Sequence, residues 1–108
     1  MLVILFRSRL TDAAGEDYEK MEERLMERLR ATPDSGFVQL KSYQAADGER
    51  LAVVWWKDAE SLERWRTDLE HQAAQRLGKE RWFSFYDLQV AEVLRSSATE
   101  PGTPQSPM

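Results

Sequence analysis

The chain has no cysteine and a single histidine, His71. Without cysteine there is no disulfide and no thiolate nucleophile, which is typical of a reducing cytoplasm. A lone histidine without a thiolate or paired carboxylate is a poor metal site, so we expect no metal. The sequence also has no glycine-rich phosphate loop and no nucleophile triad. These absences exclude most nucleophilic enzyme classes.

Long apolar runs and an excess of basic charge are also missing. The net charge is −4, and the basic residues are mixed with acidic ones, which disfavours a nucleic-acid partner. No apolar run reaches the length of a membrane span. The opening segment "MLVILFRSRL" is too short for a signal peptide, and its charges follow the apolar run. We therefore expect neither nucleic acid nor membrane as partners, and a cytoplasmic location.

What the chain does have is enough length for one domain and four tryptophans, which need a core, an interface or a pocket. We assign residues 1–95 to this domain. Residues 96–108 hold three of the four prolines, with serine, threonine and glycine, and we expect a flexible tail there.

Hydrophobic periodicity predicts six elements in the domain. Strands are expected at residues 2–9, 37–44, 51–56 and 82–94, and helices at 16–31 and 59–77. Asp47-Gly48 is a strong hairpin signal between the two middle strands. The order β-α-β-β-α-β predicts a ferredoxin-like α+β fold with an antiparallel sheet and both helices on one face. The strands are apolar on both sides, so we expect a second copy to cover the other face and form a homodimeric two-sheet barrel.

His71 has the ordinary pKa of a general base that works near neutral pH. Its direction depends on whether residues 59–77 form one helix. In a straight helix, at about 100° per residue, Leu62, Trp65 and Leu69 share a face and His71 points to solvent. If the helix breaks near Asp68, with Asp68 capping a new helix, this geometry no longer applies. The sequence leaves both arrangements open.

Two arginines, Arg7 and Arg9, follow the apolar part of the first strand and need partners. Carboxylates on the last strand, Asp87 or Glu92, are the first interpretation. The second is that the arginines bind an acidic or enolate oxygen of a ligand.

Aromatic side chains cluster on two strands. Trp55 and Trp56 are adjacent, so they face opposite sides of the sheet, and the sequence does not show which one faces the helices. The last strand opens with aromatic residues at 82–86, for which core or dimer packing and a ligand pocket are both open.

Three segments together resemble the antibiotic biosynthesis monooxygenase (ABM) domain family of the dimeric α+β barrel superfamily, namely "AVVWWKDAESLERW", "EHQAAQRLG" and "RWFSFYDLQVAEV". The resemblance extends from Leu2 to about Arg95. It implies a dimeric α+β barrel and a cofactor-independent monooxygenase that oxidises a small aromatic or polyketide-like substrate with O2. Related members bind and degrade haem, so haem is the one cofactor that the resemblance keeps open.

By the same resemblance, His71 and Trp65 are the candidate catalytic residues. The candidate substrate-binding residues are Ser8, Tyr43, Trp56, Trp82 and Tyr86. The haem-degrading branch has an asparagine, a tryptophan and an iron-ligating histidine where this chain has Ser8, Trp65 and Gln75. Because Gln75 replaces the histidine, the resemblance disfavours haem degradation.

Two other functions are compatible with the same residues. The first is a binding protein that holds haem or a small aromatic molecule without chemistry. The second is a dimer module whose tryptophans fill the barrel and leave no pocket.

Overall fold

A computed structural model describes residues 1–68, 71, 75, 76 and 78–98. The elements are β1 (Leu2–Leu10), α1 (Glu16–Ala31), β2 (Phe37–Gln44), β3 (Arg50–Trp56), α2 (Ala59–Arg66), a π-helical turn (Gly78–Trp82) and β4 (Phe83–Glu92). The predicted β-α-β-β-α-β order and the ferredoxin-like fold are confirmed. None of the helices in these ranges is long and apolar enough to cross a membrane.

The four strands form one antiparallel sheet in the order β2-β3-β1-β4. The hairpin between β2 and β3 turns at the predicted Asp47-Gly48, where Gly48 has a φ of 91°. In this region the amide of Gly48 donates to the carbonyl of Ala45 at 3.0 Å. Glycine suits this position because a side chain disfavours positive φ.

The two faces of the sheet differ in what covers them. Residues directly opposite one another in an antiparallel pair share a face, and the register places the even-numbered residues of β1 and β3 together. This face carries Trp56, whose ring contacts Trp65 of α2, and Arg50, which lies over the ring of Tyr18 of α1. We call it the helix-side face. The odd-numbered residues, including Trp55, form the open face.

Trp56 is the centre of the helix-side core. Its side chain is fully buried, with 0% exposure, between Phe37 of β2 and Trp65 of α2. Full burial of a large apolar side chain contributes about 2–3 kcal/mol. Trp56 is thus the member of the adjacent pair that faces the helices.

Several boundaries differ from the sequence-based expectation, and β1 and β3 are each one residue longer, at Leu10 and Arg50. Strand β4 begins at Phe83 and ends at Glu92. Trp82 is not part of a strand, because it is the last residue of the π-helical turn. The second predicted helix is shorter, since α2 ends at Arg66. Of the predicted tail, residues 96–98 have no regular structure, and the rest lies outside the described residues.

The two arginines of β1 are paired, and their partners are not those expected. Arg7 binds Glu49 and Arg9 binds Asp47, both at the β2–β3 hairpin. The expected partner Asp87 faces Arg7 in register and acts on it only as a weaker charge. The expectation was wrong because side-chain reach across two strands depends on the register, which periodicity alone does not give.

Candidate functional site

The end of α2 determines where His71 lies. The helix starts at the predicted cap Asp58, whose carboxylate accepts from the amide of Ser61 at 2.8 Å. It ends at Arg66, and the amide of Asp68 donates to the carbonyl of Trp65 at 3.1 Å. The carboxylate of Asp68 then accepts from the amide of His71 at 3.1 Å, and His71 is again helical. The helix therefore breaks at Asp68. Of the two arrangements that the sequence left open, this is the one in which Asp68 caps a new helix.

This break turns the His71 ring onto Trp65. The imidazole and indole rings stack with centroids 4.5 Å apart and planes 19° from parallel. The imidazole Nδ1 lies 3.2 Å from the carbonyl oxygen of Trp65. A carbonyl oxygen can only accept, so Nδ1 carries the proton. In neutral His71 the lone pair is therefore on Nε2, which is the tautomer that can remove a proton from a ligand.

The environment of His71 favours its neutral form. Burial lowers the pKa of the imidazole, because the charged form loses hydration. The hydrogen bond to the Trp65 carbonyl and the negative charge of Asp68 raise the pKa, but less than burial lowers it. His71 is thus neutral at neutral pH.

An aromatic stack extends from the sheet to this base. Trp56 lies under Trp65 with ring centroids 6.2 Å apart, and Trp65 lies against His71. We call these three residues the aromatic stack. The indole N–H of Trp56 is buried and has no hydrogen-bond acceptor within the described ranges. A buried donor of this kind is costly.

Asp68, which orients His71, is itself held by α1. Both guanidinium nitrogens Nη1 and Nη2 of Arg28 donate to the two oxygens of Asp68, each at 2.8 Å. Sequence reasoning identified Asp68 as a possible cap but missed Arg28. No sequence signal marks this pair, because 40 positions separate its members.

Ser8 and Tyr86 form a second group on the helix-side face. They are opposite one another in register. Ser8 is buried, with 4% exposure, whereas Tyr86 is 44% exposed and its ring lies 6.3 Å from that of Phe6. Ser8 is six residues along β1 from Leu2, the partner of Trp56, which is about 20 Å at 3.3 Å per residue. The two groups thus occupy opposite ends of the sheet.

Leu88 and Val90 connect these two groups along β4. Both lie on the helix-side face between the rows of Tyr86 and Glu92. They are 47% and 51% exposed. Sequence analysis gave them no role. We call Tyr86, Leu88 and Val90 the apolar strip.

Two other predicted site residues lie away from the aromatic stack. Tyr43 pairs with Leu51, so it is on the open face, and it is 53% exposed. Trp82 is 3% exposed, packs edge-on against Tyr18 and donates its indole N–H to Asp17 at 3.2 Å. The geometry gives Trp82 a packing role and brings neither residue to His71.

The position that the resemblance gives to a haem-ligating histidine holds no histidine in this chain. Gln75 is helical and stands at the position of the iron-ligating histidine of haem-degrading relatives, and its amide is a poor iron ligand. Within the described ranges, no group of three or more histidine, cysteine, aspartate or glutamate residues could hold a metal ion. No step of the chemistry below uses haem or a metal.

Comparison with known families identifies the class of protein. Residues 7–84 match the monooxygenase af470-like family. This range covers most of the chain and contains β1 to the start of β4, including the aromatic stack. The chain therefore belongs to this monooxygenase family.

Two curated relatives are similar in sequence. The uncharacterized protein YqjZ of Bacillus subtilis is 31% identical over 86 residues, which are 80% of this chain and 74% of that protein. Jasmonate monooxygenase ABM of Pyricularia oryzae is 31% identical over 98 residues, which are 89% of this chain and 45% of that protein. The chain thus spans less than half of the Pyricularia enzyme.

Solved structures share the fold. SnoaB, a cofactor-independent oxygenase from Streptomyces nogalater, matches with a TM-score of 0.69 at 13% identity, over 88% of this chain and 94% of that one. An antibiotic biosynthesis monooxygenase matches with a TM-score of 0.69 at 12% identity, over 88% and 100%. Rv0793 from Mycobacterium tuberculosis reaches 0.72 at 15% identity, over 90% and 98%. Together with the family match, the predicted kinship with the ABM domain family is confirmed.

Proposed function

We propose that the protein is an ABM-type, cofactor-independent monooxygenase that oxidises a small aromatic or polyketide-like substrate with O2. The observation that carries the proposal is the state of His71, a neutral imidazole stacked on Trp65 with its lone pair on Nε2. Membership of a monooxygenase family supports the reaction class. The fold shared with a cofactor-independent oxygenase is compatible with chemistry that needs no cofactor.

The apolar strip is the surface that suits such a substrate. Its three side chains stand on alternate residues of β4, so they form a row that a flat, elongated ring system can cover. The hydroxyl of Tyr86 at one end is a partner for a substrate oxygen. At the other end Trp65 is partly exposed and lies beside the base.

The reaction can be balanced with an anthrone as the substrate. Nε2 of His71 removes a proton from the methylene carbon. The resulting carbanion gives one electron to O2, and the substrate radical and superoxide combine to form a C–O bond. The proton held by His71 passes to the peroxide anion, and loss of water from the resulting hydroperoxide leaves a quinone. One O2 is consumed, one oxygen atom enters the product and the other leaves as water, and the substrate supplies all the electrons.

Oxidation of anthrone under 18O2 tests this proposal. We expect O2 uptake that depends on protein and anthrone, and a quinone that carries one labelled oxygen. His71→Ala lowers kcat/KM by about a hundredfold, the usual contribution of a positioned base. Arg66→Met is the matched control, because Arg66 pairs only with Glu63 of its own helix at the surface. An unchanged rate in His71→Ala contradicts the role of the base, and uptake at the buffer rate contradicts this substrate class.

A binding protein without turnover is the second candidate function. The exposed apolar strip favours it, since such a row of side chains can hold an aromatic ligand without any reaction. Native mass spectrometry of freshly purified protein separates the two candidates. A bound aromatic or haem mass that survives exposure to O2 supports binding alone, whereas oxidised product supports the monooxygenase.

The proposed assembly is a homodimer formed by the open faces of two sheets. This face carries the half-buried Leu5, Leu51 and Trp55 in adjoining rows, and neither helix packs on it in the described residues. Phe85 and Tyr43 are 38% and 53% exposed at its two sides. Burying such residues against a second copy contributes about 2–3 kcal/mol for each large side chain.

A further inference from the structure

The carboxylate of Asp68 links the His71 backbone to α1. Asp68 accepts from the His71 amide at 3.1 Å and from both terminal nitrogens of Arg28 at 2.8 Å. The Asp68 side chain is 23% exposed and that of Arg28 41%. The two-point contact fixes the direction of the carboxylate as well as its distance from α1, because a guanidinium is a rigid planar fork.

The direction of this carboxylate controls the His71 ring through the backbone. The carbonyl of Trp65 accepts from two donors, the amide of Asp68 at 3.1 Å and Nδ1 of His71 at 3.2 Å. The hydrogen bond from the His71 amide to the Asp68 carboxylate holds the backbone of His71 where its ring reaches this oxygen. The stack on Trp65 depends on the same conformation.

We propose that Arg28 is a positioning residue for His71. It acts through Asp68, holding the break after α2 in the conformation that locks His71 in its Nδ1–H tautomer and presents Nε2 as the base. The effect of Arg28 on catalysis rests on the proposed function, in which His71 is the base. The dependence of the His71 ring on an arginine of α1 can be measured without any substrate.

The charges that face His71 allow the variants to be told apart. Asp68 is on the same segment and raises the pKa of His71, and Arg28 on α1 neutralises Asp68. Arg28→Met leaves the Asp68 charge without this partner. Asp68→Asn keeps a capping oxygen but removes the charge, since asparagine is as good a cap as aspartate.

The experiment is a pH titration of 15N-labelled protein by NMR, reading the two ring nitrogens. His71 is the only histidine, so its signals need no assignment. In the wild type we expect one tautomer, with the proton on Nδ1. Arg28→Met moves the nitrogen shifts toward the tautomer mixture of a free imidazole and raises the pKa. Arg28→Lys, which keeps the charge without the fork, gives only partial recovery.

Two further variants distinguish positioning from loss of the fold. Asp68→Asn removes the charge and one of the two acceptors for Arg28, so it lowers the pKa of His71 and shifts the tautomer only part of the way toward the free mixture. General loosening would instead move the pKa upward toward its ordinary value. Arg66→Met leaves the tautomer and the pKa of His71 unchanged, because its partner Glu63 lies on the outer side of α2. Circular dichroism confirms that each variant is folded. Wild-type tautomer and pKa in both Arg28 variants would overturn the proposal.

Kinetics with anthrone give the catalytic reading. Arg28→Met lowers kcat by about tenfold or more, as expected for a misplaced base. Adding Arg28→Met to His71→Ala causes no further loss, because both changes act on one group. If the wild type does not oxidise anthrone, the proposed function fails while the NMR result still decides the positioning role. Additive losses would contradict action through His71.

Discussion

At the scale of single residues, His71 shows how a common side chain acquires a defined state. One backbone carbonyl, that of Trp65, selects its tautomer, and one indole ring determines its plane. Sequence reasoning could identify His71 and Trp65 as candidates and Asp68 as a possible break. It could not choose the break, because the partner that fixes Asp68 is Arg28, far away in the chain.

Burial of His71 makes the stability of the fold depend on pH. The pKa of His71 is lower in the folded than in the unfolded protein, so unfolding takes up a proton between the two values. The contribution of neutral His71 to the free energy of unfolding is therefore complete above the unfolded pKa of about 6.5. It decreases as the pH drops below this value. We expect the urea midpoint to decrease between pH 7.5 and 5.5 in the wild type and less in His71→Gln.

Carboxylates do not confuse this measurement. Asp17, Asp47, Asp58 and Glu63 have lowered pKa values in the fold, so their contributions are lost only at more acidic pH. If the urea midpoint changes equally with pH in the wild type and in His71→Gln, the His71 ring is exposed in solution.

At the scale of elements, α2 is short and is held against the start of β2 by a close backbone approach. Gly36 has a φ of 84°, and its carbonyl accepts from the amide of Lys57 at 2.7 Å. A Cβ added at Gly36 would overlap the side chain of Ser61, which is buried in α2. Both the positive φ and the close approach of Ser61 therefore favour glycine at position 36.

Gly36→Ala and Gly48→Ala form a matched pair that separates these two effects. Both positions have positive φ, but a Cβ at Gly48 meets nothing within 4 Å. Gly48→Ala costs only the backbone strain, about 1–2 kcal/mol. Gly36→Ala costs a further ~1–3 kcal/mol for the overlap with Ser61. Urea unfolding measures both, and equal losses would mean that α2 does not approach Gly36 so closely.

The elements themselves could be predicted, because alternation and helical periodicity are local. The hairpin at Asp47-Gly48 and the cap at Asp58 were correct for the same reason. What depends on the register could not be predicted. The partners of Arg7 and Arg9 are such cases, and so is the side of the sheet that Trp56 faces.

At the scale of the whole molecule, the two faces of the sheet have different proposed tasks. The helix-side face holds the aromatic stack and the apolar strip, and the open face is proposed to join a second copy. We expect a dimer by light scattering after size exclusion. Phe85→Glu places a charge on the open face and should give a monomer.

Val90→Glu is the control for this prediction. Val90 is on the same strand and is also exposed, at 51%, but it points to the helix-side face. The variant should remain a dimer. A monomeric wild type, or equal effects of the two substitutions, would contradict dimerisation by the open face.

The central position of β1 has a consequence for the order of folding. This strand pairs Leu2 with Trp56 on one side and with Glu92 on the other, so its contacts close the longest loops in the chain. Closing a long loop costs more chain entropy than closing the short one between β2 and β3. The hairpin of β2 and β3 around Gly48 can form early. Strand β1 completes its pairing only when β4 has formed beside it. The folding rate is therefore limited by the return of β4 to β1.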